Sequence, residues 1–152
     1  MPSSLTAEHI IDTLGLRPLD VCNGFFRETW RDEHSTVMYW LLPADHCAGL
    51  HAATHPELFT YHSGAPMRMT LLRPEGQLDE HILGPDIAAG QRPQLIVPAH
   101  VWQAAQPLGD YTLSSVAVAP PFTPDIVTTP CMATLCQQYP DHAGKIRALA
   151  TS

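Results

Sequence analysis

Basic residues are scarce in this chain. Eight Lys and Arg stand against 15 Asp and Glu, the formal net charge is −7 with histidines neutral, and no Lys/Arg cluster occurs. Binding a phosphate backbone needs such a cluster, so nucleic acid is not an expected partner. Long apolar runs are missing as well, and no stretch reaches the roughly 18 residues that a membrane-spanning helix requires. The N-terminal stretch, Met1-Pro-Ser-Ser-Leu-Thr-Ala-Glu8, has neither the basic start nor the apolar run of a secretory leader. The expectation is a cytoplasmic protein that does not engage membranes. Cys22, Cys47, Cys131 and Cys136 include no C-x-x-C pair, which removes the usual zinc and redox spacings. They are read as reduced thiols serving mainly as small buried hydrophobes.

What is abundant is turn chemistry. Fifteen prolines and nine glycines, with only 15% charged residues, indicate many short elements joined by tight turns. Residues 1–152 are one domain's worth of chain, enough to bury about 68–70% of the unfolded surface. Thr6 to Gly15 reads as a short helix, with Thr6 as its cap, Ile10, Ile11 and Leu14 on one face, and Gly15 as its stop. From Phe25 to Val118 the pattern becomes short β-forming runs: 25–30, 36–42, 48–51, 58–62, 67–72, 77–83, 94–97, 103–105 and 112–118. Such even spacing of short strands predicts an all-β sandwich or barrel. Helical spacing returns with Met132, Leu135 and Tyr139, then Ile146 and Leu149 after a restart at Pro140. These helices are expected to pack outside the barrel.

The segment Gly49-Leu-His51-Ala-Ala-Thr-His55-Pro-Glu57-Leu-Phe-Thr-Tyr61-His62-Ser-Gly64 is the most informative. Side chains alternate along a strand, so His51, Glu57, Phe59 and Tyr61 are expected to share one lumen while His62 points away. Ionisable groups in a narrow barrel are costly unless paired or used, which favours a functional reading of His51 and Glu57. Tyr39 and Tyr61 carry phenols that need a partner when buried, and either can orient a ligand or act as an acid. Phe59 and Trp102, taken singly, read first as barrel packing. His9, His34, His81 and His142 are expected on solvated faces, and His46 and His55 in loops.

Gly49-x-His51 followed by Glu57 and Gly64 resembles the first sequence motif of the cupin superfamily, and Pro98-Ala-His-Val-Trp-Gln103 resembles the second, PxGxxH. Asn23-Gly-Phe-Phe-Arg-Glu-Thr-Trp30, Leu83-Gly-Pro-Asp, Trp102-Gln-Ala-Ala, Pro107-Leu-Gly-Asp-Tyr111 and Tyr139-Pro-Asp-His142 are similar to the Cupin_5 subfamily, over roughly residues 5–150. The resemblance implies a cupin double-stranded β-helix, a jelly-roll barrel with short terminal helices outside, and a homodimer. It also implies a metal centre of two histidines, a glutamate and a third histidine. Here Ala53 and Gln103 stand where the second and third histidines belong. His51, Glu57 and Gln103 are therefore the candidate ligands if a single divalent metal is bound, of a kind suited to imidazole and carboxylate such as Fe, Mn, Ni or Zn. Otherwise no cofactor is required and Gln103 becomes a substrate-orienting amide. The same resemblance makes Arg27 a candidate contact for an anionic ligand. His100, in place of the usual glycine, adds an imidazole near the rim beside Trp102.

Together these residues predict acid/base chemistry on a small sugar-like or secondary-metabolite molecule, as an isomerase, epimerase, cyclase or lyase. His51 would be the acid or base, Glu57 would orient it or share its proton, and Tyr61 or Tyr39 would stabilise an oxyanion. A non-catalytic metabolite-binding cupin and a metal-dependent oxygenase are the alternatives.

Overall fold

The computed structural model describes residues 5–149. Helix α1 (Ala7–Leu14) begins where the Thr6 hydroxyl accepts a hydrogen bond from His9 N, and it ends at Gly15 in the left-handed region. Eleven strands follow: β1 (Arg17–Pro18), β2 (Phe25–Arg31), β3 (Thr36–Pro43), β4 (Ala48–Ala53), β5 (Glu57–Gly64), β6 (Met67–Leu72), β7 (Leu78–Leu83), β8 (Gln94–Val97), β9 (Trp102–Pro107), β10 (Tyr111–Val118) and β11 (Val127–Thr128). Helices α2 (Met132–Gln138) and α3 (Ala143–Leu149) close the described chain.

The strands form two antiparallel sheets, ordered β1-β2-β3-β10-β5-β8 and β11-β4-β9-β6-β7. This is the jelly-roll arrangement expected from the sequence. Alternation along each strand divides the apolar residues among three clusters. Trp40, Leu42, Phe59, Met67, Met69 and Val116 fill the space between the sheets. Leu41, adjacent to Leu42 and equally inaccessible, instead faces outward under α1 with Ile10, Leu16 and Leu113. Leu50, Leu72 and Ala104 on the outside of the second sheet are covered by Leu135, Tyr139 and Ile146 of the C-terminal helical segment. A fully buried aliphatic side chain is worth about 1.5–3 kcal/mol, which explains why neither pair of terminal helical turns needs to be stable alone.

Two strands escape the period-2 pattern because they are only two residues long. β1 pairs with β2, and β11 pairs with β4 through Val127↔Ala53 and Thr128↔Ala52. Both matter to the site, because the segments after them, at residues 19–24 and 129–132, form the walls of the barrel mouth. Among the described residues no helix is long and apolar enough to cross a membrane.

Candidate functional site

His51 lies on β4 directly opposite Gln103 of β9. Its Nδ1 is 2.7 Å from the Gly49 carbonyl oxygen. A carbonyl can only accept, so Nδ1 carries the proton and the lone pair of the neutral ring is on Nε2. The residue is 7% exposed. Burial holds its imidazole below the usual histidine range, and the Gly49 hydrogen bond pulls weakly the other way.

Glu57 opens β5 and is also buried. Gln103 Nε2 donates to its Oε1 over 2.6 Å, within the barrel. Burial raises the Glu57 carboxyl above the ordinary carboxylate range, and the Gln103 bond partly offsets this by favouring the ionised form. The division of labour therefore differs from expectation. Glu57 is bonded to Gln103, while His51 is oriented by a backbone carbonyl of its own strand.

Two spaces have His51 in their lining. The inner one, about 20 Å³, has His51, Glu57, Gln103 and Phe59 in its lining, with Trp40 and Cys22; that volume suits about one water molecule. Phe59 stacks edge-on against Trp40 at 6.0 Å between ring centroids, which fills the deeper barrel. The outer space, about 450 Å³, opens to solvent and is walled by residues 20–23, Cys47, Gly49–His51, Thr129 and Met132. His51 and Cys22 line both. Cys22 carried no functional signal in the sequence, since a lone thiol in a loop has no spacing to recognise. Its burial, reinforced by the Glu57 carboxylate, pushes the thiol up to about 12, so it stays protonated and is a poor nucleophile.

The wall that carries Cys22 is held rigidly. Leu19 N donates to Gly24 O, Trp40 Nε1 donates to Asn23 O, and Asn23 Nδ2 donates to Cys47 O. Asn23 and Gly24 are both left-handed, at φ 71° and 78°. A Cβ on Gly24 would lie 2.6 Å from Trp40 Nε1 and 2.8 Å from Leu41 O, so only glycine fits. This accounts physically for the Asn23-Gly24 pair. Asn23→Ala should cost about 2 kcal/mol, through the loss of two side-chain hydrogen bonds, to Cys47 O and from Gly24 N, and a left-handed alanine, whereas Asn23→Gly should cost less because glycine adopts that φ freely. Thermal melts of the two variants would test this; equal losses would mean that backbone conformation is not what Asn23 supplies.

The other residues singled out from the sequence are placed elsewhere. Tyr39 faces the α1 side of its sheet, packs in that outer cluster and meets His62 edge-on, because its neighbours Met38 and Trp40 take the inward positions. Tyr61 packs against the inter-sheet core, but its hydroxyl donates to Gly64 O at 2.6 Å and does not reach the inner cavity. His62 points outward and is hydrogen-bonded to Ser115 Oγ. Arg27 donates to Leu14 O at 3.1 Å, at the C-terminus of α1, and lines neither the mouth nor the inner cavity. Trp102 lies on the outer face of β9 against the C-terminal helices, since Gln103 takes the inward position. His100 is exposed, at φ 67°, with its backbone N donating to Ala53 O over 2.7 Å. That conformation explains why glycine suits this place.

The sequence from residue 8 to 128 matches the model of the family Cupin_5, described as Cupin superfamily (DUF985). The chain belongs to the Cupin_5 family. A Shewanella oneidensis protein of known structure is 29% identical, with a TM-score of 0.88 over 97% of this chain and 98% of that one. A hypothetical protein from Leishmania major is 22% identical, also with a TM-score of 0.88, over 96% and 99%. A mutant of Bacillus subtilis oxalate decarboxylase is 13% identical with a TM-score of 0.60, over 83% of this chain and 35% of that one, and shares the fold alone. No curated protein matches the sequence.

Many cupins hold a metal, and the residues of this Cupin_5 chain can be tested against that requirement. His51 and Glu57 are suitable donors, but Ala53 offers none and Gln103 turns its N–H, a donor without a lone pair, toward Glu57. Among the described residues no group of three His, Cys, Asp or Glu is placed to hold an ion. The set does not fit a three-ligand metal centre, and no step is derived through one.

Proposed function

We propose that this cupin is a small-molecule enzyme in which His51 Nε2 moves a proton to or from a ligand bound in the barrel mouth. The observation that carries this reading is a buried imidazole whose tautomer is set by Gly49 and which lines both the mouth and the inner cavity. A neutral imidazole is a competent base near neutral pH, and a positioned one contributes about 10²–10⁴-fold to proton transfer. Glu57, held above the ordinary carboxylate range, is suited to share or return the proton, directly or through the water-sized cavity. Isomerase, epimerase, cyclase and lyase reactions on a sugar-like or secondary-metabolite substrate all share this step.

The test is deuterium incorporation. The full chain is incubated in D₂O with dihydroxyacetone and related neutral hydroxyketones, and the C–H signals next to the carbonyl are followed by NMR. Exchange above the buffer rate supports the proposal. Binding of these probes at His51 with no exchange for any of them would instead support a non-catalytic metabolite-binding cupin. One feature favours that second reading: neither tyrosine hydroxyl lines the inner cavity, which leaves few donors for a developing oxyanion.

A further inference from the structure

Both the inner cavity and the mouth lack a cationic side chain, although the chain has eight. Each of the eight is placed elsewhere. Arg17 lies over the Phe26 ring, 5.4 Å from its centroid, and Arg27 closes α1. Arg31 pairs with Glu28, and Arg73 pairs with Asp79. Arg68 and Lys145 both pair with Glu80. Arg92 donates to Gln91 O, and Arg147 borders a separate groove on the C-terminal helices. Against this, the acidic residue Asp20 is part of the mouth's wall, and Glu57 lines the inner cavity that shares His51 and Cys22 with it.

The hydrogen-bonding inventory points the same way. Asn23, the amide in the wall, uses its Nδ2 on Cys47 O and its Oδ1 on Gly24 N. Beyond the backbone, the groups left to meet a ligand are the Asp20 carboxylate and His51 Nε2, both acceptors, together with the Thr129 hydroxyl, the Cys22 thiol and the second N–H of Asn23. Asp20 and Cys22 sit on the loop anchored by Leu19, Asn23 and Trp40, so their positions are set before any ligand arrives. A carboxylate or phosphate entering this space would meet like charge and no cationic side chain. A polyol or an amino alcohol would place its O–H and N–H groups on acceptors already in position.

We infer that the mouth of this barrel selects a small donor-rich molecule, neutral or cationic, and excludes carboxylates and phosphates, with Asp20 as the residue that favours a cation. This rests on the ligand site proposed above and names the chemical class that the site takes. It also separates the chain from cupins whose substrate is a dicarboxylate.

Three probes of one skeleton test the inference: ethanolamine, ethylene glycol and glycolate. Each is titrated into the full chain while the His51 ring resonances are followed by NMR. Ethanolamine should bind about 3-fold more tightly than ethylene glycol, the size of one exposed ion pair, and glycolate more weakly than either. Asp20→Asn should erase the difference between ethanolamine and ethylene glycol, and Asp20→Lys should bring glycolate above ethanolamine. Glycolate binding as tightly as ethanolamine to the unmodified chain would overturn the selection while leaving His51 in a ligand site. No shift of His51 with any of the three would overturn the inference and the site together.

Discussion

Gln103→Leu should lower the melting temperature at pH 8 by roughly 3–12 °C, because a hydrogen bond to a buried charged group is worth about 1.5–3 kcal/mol and each kcal/mol moves a domain of this size by about 2–4 °C. Gln103 is the residue that donates to Glu57 inside the barrel. Leucine fills a similar volume but leaves the carboxylate bare, and a lone buried charge is what proteins tolerate least. The pH dependence separates this from a packing defect. Burial already places the Glu57 carboxyl above its unfolded value of 4.5, and losing the Gln103 bond raises it further. For a carboxyl raised in the folded state, the unfolded chain binds fewer protons, so stability is greatest below the unfolded pKa and is lost as pH rises through the folded one. The Gln103→Leu deficit should therefore be small at pH 4 and full at pH 8. Adding Glu57→Gln should remove most of it. Calorimetry at three pH values decides the matter, and a deficit equal at all of them would show that Gln103 merely fills space.

His51→Ala should reduce deuterium incorporation into a responsive hydroxyketone by about 10²–10⁴-fold, the usual contribution of a positioned general base. The rate should also carry the signature of a depressed histidine. The active form is the neutral ring, so activity should persist below the ordinary histidine value of 6.5 and fall only as pH drops through the lower pKa of the buried ring. Stability shifts over a related range. A histidine held neutral by folding binds fewer protons than its unfolded counterpart, so its contribution is present above pH 6.5 and is lost as pH falls below it. His51→Ala should accordingly flatten the acid side of the stability profile while abolishing exchange. Exchange that survives the substitution undiminished would remove His51 from the chemistry.

His51 and Glu57 thus impose opposite pH slopes on one small cavity, the first penalising acid and the second penalising base. Neither is relieved by a buried ion pair with the other in this structure; each is met by a neutral group, the Gly49 carbonyl and the Gln103 amide. Retaining two such groups in a barrel otherwise filled by Trp40, Phe59, Met67 and Leu71 costs stability, and sites of chemistry are where proteins keep that cost.

Much of the fold was readable without coordinates. The strand runs at 67–72 and 94–97 coincide with β6 and β8, and most others differ by one or two residues at their ends, where fraying and turn geometry blur any pattern. Placing His51, Glu57, Phe59 and Gln103 around one cavity followed from alternation and from the motif resemblance. Tyr39, singled out for its phenol, and Trp102, in the second motif, both face out, because Trp40 and Gln103 take the inward positions. Tyr61 belongs to the inward set by period, yet a register shift in the pairing of β10 with β5 and the nearby Gly64 carbonyl divert its hydroxyl.

The sequence by itself determined an all-β chain of short strands and the face on which His51 and Glu57 lie, because a strand's side-chain period of two and its turn residues are local properties, and the resemblance of its motifs to cupins implied the jelly roll. Tertiary structure alone decided what surrounds them. The His51 tautomer depends on a carbonyl two residues away bending into reach, the Glu57 partner lies 46 residues distant, and the Asp20 and Cys22 wall is brought in by a loop pinned to β3 and to Cys47. Apart from the Gly49 bond, these contacts join segments far apart in the chain, and no local periodicity encodes which distant group will complete a hydrogen bond.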